Sequence, residues 1–272
     1  MKGTAIGVDI GGSGIKGAPV NLSSGKLHKP RYRLVTPQPA TPEAVGETTA
    51  KVIAFWEPKP ETPIGVTFPG VVQKGVVKTA ANVDPAWIGT NLKDVIREHS
   101  GFDVHVMNDA DAAGFGEYAF GAAKHEDGLV LVVTLGTGIG TALISDGRLV
   151  PNTELGHLIV DGLDAEEYAA ESARDRHDLS WKEWAGHVGR FLSEMERLLW
   201  PDLIIIGGGV SKSYEEFLPF FDLRAPVVPA ALFNNAGIVG AAALASEERR
   251  RAVKRAARHS YGSRKSDGRG GG

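Results

Sequence analysis

Cysteine is absent from this 272-residue chain, which excludes disulfides and thiolate-held metals. Long apolar runs are missing too. The longest, around residues 129–133 and 203–206, have the length of strands, so no membrane span and no membrane partner are expected. A secretory signal is also lacking, because MKGTAIGVDIGG is too short and too rich in glycine. These absences fit a reducing compartment, and a cytoplasmic location is expected. Strong charge of one sign is missing overall but not locally. The net charge is −3, yet residues 246–272 hold nine Lys/Arg against three acids, +6, which leaves −9 on the body. The basic end, from residue 258 above all, reads as a disordered, solvated tail, with capture of a polyanion as its functional alternative.

Glycine, in contrast, is plentiful and patterned. Residues 4–17 read TAIGVDIGGSGIKG and residues 130–142 read VLVVTLGTGIGTA. In both, an apolar strand enters a turn with several glycines and a second strand follows at once. Such turns leave backbone N–H groups bare for an anion. A dinucleotide fingerprint needs a helix after the turn, but Thr141-Ala142-Leu143-Ile144 continues as strand, and no Gly-Lys-Ser/Thr string marks a P-loop. One copy alone is an ordinary hairpin. Two copies half a chain apart suggest two lobes gripping a phosphate-bearing substrate.

Strands are expected at 4–10, 14–20, 27–36, 63–68, 103–107, 129–135, 139–145, 148–150 and 203–206, with a hairpin at 70–78. Helices are expected at 41–56, 91–100, from 109, at 164–176, 180–199, after Gly209, and at 236–257. The 180–199 helix is marked by Trp181, Trp184, Val188, Phe191, Leu192 and Met195 at three- and four-residue spacing, closed by Pro201. Each half is a meander followed by alternating helices and strands. The expected division is a small α/β lobe over 1–108, with the final helix packed back on it, and a larger α/β lobe over 109–235. No linker separates them, so a hinge joins the two.

Asn108-Asp109 lies where a strand meets a helix. This is an N-cap position, and equally a place for a carboxylate that deprotonates a hydroxyl. The helix N-terminus is expected to keep Asp109 ionised and only mildly basic. Glu154 and His157 are three residues apart, without a further ligand to complete a metal site. Asn82, Asp84 and Trp87 form a polar–aromatic cluster that a turn explains as well as a sugar does.

The strings DIGGSGIKG, NDADAA, LGTGIGTALI, ELGH and IIGGGVS, in this order, resemble the ROK sugar kinases of the hexokinase/actin-like superfamily. NVDPAW, ESARD, LSWKEWA, WPDLIIIGGGVSK and PVVPAALFNNAGIVGAA carry a closer likeness to the polyphosphate glucokinase and polyphosphate/ATP glucomannokinase branch. The likeness covers residue 4 to about 245. It implies a two-lobed actin-like ATPase (ribonuclease H-like) fold with an interlobe cleft, and phosphorylation of glucose or mannose at the 6-hydroxyl from polyphosphate or ATP. It further implies Asp109 as base, with Asn82, Asn108, Glu154, His157 and Glu166 on the sugar. Gly11, Gly12, Ser13 and Gly14 would form one phosphate turn, Thr137 and Gly138 the other, and Gly207, Gly208 and Gly209 would face the distal donor. Mg²⁺ is expected through Asp9, by way of water, and Lys16, Lys212 and the tail are candidates to hold a polyanion.

Many ROK proteins bind zinc through a His and three Cys after the Gly-His pair. LIVDGLDAEEYAAES has no cysteine, so no zinc site is expected there, and Leu158, Val160, Leu163 and Tyr168 are expected to hold the segment by packing. Family members are often dimers. An ATP-only hexose or N-acetylhexosamine kinase is the alternative enzyme. A sugar-responsive repressor would need a helix-turn-helix before the first strand, and residue 4 leaves no room for one. Nucleic acid is not an expected partner.

Overall fold

The computed structural model describes residues 2–80 and 83–266, with side chains described to residue 256. The first half comprises β1 (Thr4–Ile10), β2 (Ile15–Asn21), β3 (Tyr32–Leu34), α1 (Pro42–Ala54), β4 (Ile64–Phe68), β5 (Val72–Gln73), β6 (Val76–Val77), α2 (Leu92–Ser100) and β7 (His105–Asn108). From α3 (Asp109–Phe120) the chain continues through β8 (Leu129–Leu135), β9 (Ile139–Ser145) and β10 (Arg148–Val150). There follow β11 (Ile159–Val160), β12 (Leu163–Asp164), α4 (Ala165–Ala169), α5 (Glu171–Arg176), α6 (Trp181–Leu199), β13 (Leu203–Gly207), β14 (Val227–Pro229) and α7 (Ala236–Ser266).

Two five-stranded sheets carry one topology. The first runs β3-β2-β1-β4-β7 and the second β10-β9-β8-β13-β14. In each, two antiparallel pairings form the meander and two parallel pairings complete the sheet. The glycine turns therefore occupy equivalent corners, β1–β2 and β8–β9. Parallel strands buried on both faces need continuous apolar sequence, and β4 and β13 are buried at every position.

Helix ends follow local chemistry. Thr41 accepts from Ala44 N with Pro42 in the first turn, and Ser180 and Glu183 form a reciprocal capping box. Trp184 and Phe191 on α6 are fully buried against β8 and β13 residues. Helix α7 returns to the first sheet, where Ile238, Val239 and Ala242 pack with Ala5, Ala18, Val20 and Leu22. That approach is close: a Cβ on Gly7 or Gly65 would stand 1.8 or 2.0 Å from the carbonyl oxygens of Ile238 and Ala241. Only glycine lets the helix backbone lie on the sheet.

Several elements differ from expectation. The strand expected at 27–36 is reduced to 32–34 and an isolated bridge from Leu27 to Val20, because Pro30 between them removes a ladder donor. The helix expected at 164–176 breaks at Ala170, whose ψ of 154° is extended. The stretch after Gly209 forms 3₁₀ turns, Gly209–Glu216 and Leu218–Phe220, with Pro219 inside the second. Helix α7 continues to Ser266, beyond the expected 257, so residues 258–266 of the expected disordered tail are helical; Ala, Arg and Lys continue the helix and no proline interrupts it.

Candidate active site

Asp109 opens α3 directly after β7. Its Oδ1 accepts from Ala110 N at 2.9 Å. Its pKa is raised to about 7, first by burial and then by the charge of Asp9, while the helix-end N–H groups of Ala110 and Asp109 pull the other way. The expectation of a fully ionised, mildly basic carboxylate is thus corrected, because desolvation outweighs the helix terminus. Asn108 caps the helix: its Oδ1 accepts from Asp111 N at 3.0 Å and its Nδ2 donates to the Gly70 carbonyl at 3.1 Å.

A cavity of about 180 Å³ joins the two sheets beside this carboxylate. Asp9 and Lys16 line it from the first sheet, Thr134 and Gly207, Gly208 and Gly209 from the second, and Ala236 and Gly237 from the start of α7. Two helix N-termini, those of α3 and α7, therefore meet at one anion-sized space. Asp9 Oδ2 lies 3.0 Å from Lys16 Nζ, and Asp9 Oδ1 accepts from Thr67 Oγ1 at 2.7 Å. Lys212 does not line the cavity.

None of the turn residues 11–14 and 136–138 lines this cavity, so the strand ends rather than the turn tips make it. Gly11 and Gly14 bond reciprocally through their backbones, at 3.1 and 3.4 Å, which leaves Gly12 and Ser13 exposed at the bend. In the second turn Gly136 N donates to the Gly138 carbonyl at 3.0 Å, and Thr137 is exposed. A separate hollow of about 280 Å³ contains Thr137 with His157, Asp164, Glu166 and Ser172. Glu166 Oε2 accepts from Ile139 N at 2.8 Å and sits where a Cβ on Gly138 would fall, 2.3 Å away. His157 Nδ1 lies 3.0 Å from Asp164 Oδ2, and this hydrogen bond raises the pKa of the imidazole. Glu154, open to solvent, is raised by partial desolvation against the opposing pull of His157, and its charge also reaches Asp109. The structure so brings Glu154, His157 and Glu166 near the second turn.

Asn82 lies outside the described residues. Asp84 and Trp87 serve the fold instead: Asp84 accepts from Ala86 N at 2.8 Å, and Trp87, fully buried, donates Nε1 to the Ala40 carbonyl at 2.9 Å. Of the side chains expected to hold segment 158–176, Val160 is buried and Leu158 and Tyr168 pack against the core beneath α6, whereas Leu163 is 54% exposed. Buried Ala165, Ala169, Ala170 and Ala173 add to that packing, with Trp184 Nε1 donating to the Ala169 and Ala170 carbonyls at 3.1 Å.

Four contributors escaped the sequence reading. Thr67, a hydroxyl in the otherwise apolar β4, orients Asp9. Glu117 is buried and accepts from Ala122, Ala231 and Leu232 N–H at 2.8, 3.0 and 2.7 Å, fixing the 230–234 wall of the cavity. Asp111 is buried, its pKa raised to about 7 chiefly by desolvation, and its Oδ2 accepts from Asn152 N. Asn152 exchanges two hydrogen bonds with the Val72 backbone, 2.9 and 3.1 Å, and so clasps the halves together. The only visible sequence signal was a polar residue inside an apolar or helical pattern.

Comparison with known proteins follows the same lines. The ROK family profile matches residues 5–174. The chain is 53% identical over 238 residues to a polyphosphate glucokinase of Mycobacterium tuberculosis, covering 87% of this chain and 89% of that one. A crystal structure of an inorganic polyphosphate/ATP-glucomannokinase from Arthrobacter sp. strain KM superposes with a TM-score of 0.85 at 52% identity, over 91% of this chain and all of the other. A ROK family glucokinase from Streptomyces griseus, in complex with glucose and AMPPNP, gives 0.78 at 29% identity, over 90% and 100%.

Proposed function

The chain belongs to the ROK family, and from that premise we propose that it is a polyphosphate- and ATP-dependent glucokinase of two-lobed, actin-like ATPase fold. The lobes are taken as 1–108 with α7, and 109–235. The observation that carries the reading is the cavity in which Asp109, Asp9, Lys16 and the 207–209 glycines meet beneath two helix ends.

Glucose, and mannose as a second substrate, is held by Glu154, His157, Glu166, Asn108 and Asn82. Asp109 takes the proton from the 6-hydroxyl as that oxygen bonds to the terminal phosphorus of the donor. The bond from phosphorus to the bridging oxygen breaks, and the shortened polyphosphate or ADP leaves with the electron pair. The bare N–H groups of Gly12, Ser13, Thr137 and Gly138, with the α3 and α7 termini, stabilise the charge on the transferring group. Closure of the lobes excludes water that would compete as acceptor.

Asp9 suits a magnesium ion held by way of water: it offers hard oxygen atoms, and Lys16 and Thr67 already occupy part of its carboxylate. Bound there, Mg²⁺ would neutralise donor phosphate charge. A cytoplasmic homodimer completes the reading. In its support, Ile159 and Leu163 stand 63% and 54% exposed on the β11–β12 hairpin, and among the described residues no helix is long and apolar enough to cross a membrane.

A coupled assay for glucose 6-phosphate, with polyphosphate and ATP supplied separately, tests the function. Turnover with both is expected. Turnover with ATP alone would favour the hexose or N-acetylhexosamine kinase reading, and none with either would overturn the enzyme reading.

A further inference from the structure

Between Asp9 and Glu43 the sequence contains no acidic residue but five cations, Lys16, Lys26, Lys29, Arg31 and Arg33. In a body of net charge −9 such a stretch stands out. Lys26, His28, Lys29, Arg31 and Arg33 are exposed, and among the described residues none of them pairs with a carboxylate. Their fixed contacts are to neutral groups. Arg33 Nη2 donates to the Ser13 carbonyl at 2.7 Å, and its guanidinium lies where a Cβ on Gly14 would fall. Arg31 Nη1 donates to the Asn234 carbonyl at 2.8 Å. Arg31 and Arg33 flank Tyr32 at the start of β3, about 7 Å apart along the chain, and Lys29 lies in the bend just before them.

Phe233 and Asn234 line the catalytic cavity, and they also form one wall of a second cavity of about 580 Å³. The opposite wall of that second cavity is Lys26, His28, Lys29 and Arg31. The row of cations therefore begins at the first glycine turn and continues into a groove that opens beside the site of transfer. A long chain of negative charges can use a whole row of cations, whereas ATP has three phosphates and ends in a neutral base.

Arg249 and Arg251, in the described part of the basic end, lie away from this path. Helix α7 starts at the cavity with Ala236 and Gly237, so Arg249, twelve residues on, lies about 18 Å along the axis. Arg249 there lines a different hollow with Pro60, His105 and Glu248, and Arg251 is paired with Glu247 and Glu248.

We propose that the groove between residues 26–33 and 231–235 is the distal subsite for inorganic polyphosphate, with Arg33 and Arg31 guiding the chain from the transfer site and Lys26, His28 and Lys29 holding its remainder. The inference rests on the kinase reading given above.

The test compares wild type with Lys26→Ala/Lys29→Ala, using long-chain polyphosphate, tripolyphosphate and ATP as donors. The KM for long polyphosphate is expected to rise about tenfold relative to that for ATP, most strongly at low salt, with less change for tripolyphosphate. The slope of log KM against log salt should become shallower by about two, one for each cation removed. Direct titration of the glucose-free protein with long polyphosphate should show the same weakening. Equal changes for all donors, or none, would overturn the subsite while leaving the kinase intact. Single-stranded DNA that binds the groove as tightly at equal phosphate concentration would also overturn it. A wild type inactive with both donors would instead strike the kinase reading, and polyphosphate binding weakened by the double variant would still support the groove.

Discussion

Asp109→Asn separates what this carboxylate does for catalysis from what it costs the fold. The folded pKa of about 7 against 3.8 in the unfolded chain means that the ionised form is disfavoured inside the protein by about three units. At ~1.4 kcal/mol per unit that is a ceiling of ~4 kcal/mol. The sign follows from linkage: a carboxyl group whose folded pKa is raised contributes full stability below pH 4, loses it as pH climbs toward 7, and stays at the loss beyond. Asparagine keeps the Oδ1 acceptor for Ala110 N but carries no charge. The variant should therefore gain up to ~4 kcal/mol at pH 8, about half of that or less at pH 5, and almost nothing at pH 4. In a chain of this length this corresponds to a Tm rise of up to ~8 °C at pH 8. Turnover should fall by ~10²–10⁴. In wild type, kcat/KM for glucose should drop about tenfold per pH unit below 7. Scanning calorimetry across pH and the coupled assay read the two effects. A Tm at pH 8 that is unchanged or lower in the variant, or wild-type activity flat between pH 5 and 7, would refute the assignment of a half-buried, poised base.

Two further perturbations probe the surroundings. Gly138→Ala places a methyl group on Glu166, so the carboxylate must leave Ile139 N; the KM for glucose should rise about tenfold or more with the fold retained, and a KM unchanged in a steady-state assay would remove Glu166 from the sugar site. Asn152→Ala removes both bonds to Val72 and leaves a non-glycine residue at a φ of 57°, so urea unfolding should show a loss of about 1–3 kcal/mol.

Much of the architecture was readable because it rests on short-range rules. Apolar runs located β1, β8 and β9, and three- and four-residue apolar spacing closed by Pro201 located α6. Repetition of the glycine turn indicated two equivalent lobes, which the matching strand orders explain. What escaped detection depends on partners distant in sequence. Glu117 gains its role only when residues 231–232 reach it, and Asn152 only when it meets Val72. The acid–base character of Asp109 was misjudged for the same reason, since sequence reveals the helix end but not the surrounding burial. Arg31 and Arg33 looked like strand residues until Asn234 and Ser13 came alongside.

The seating of α7 on β1 has a consequence for biogenesis. During synthesis β1 leaves the ribosome first, but the face bearing Ala5, Ala18, Val20 and Leu22 has no cover until Ile238, Val239 and Ala242 are made. Nearly the whole polypeptide must then be looped to close that contact, a high-contact-order step that delays completion and leaves an adhesive nascent surface in the meantime. A message cut short before the codons for this helix would therefore yield a sticky fragment, not a smaller enzyme.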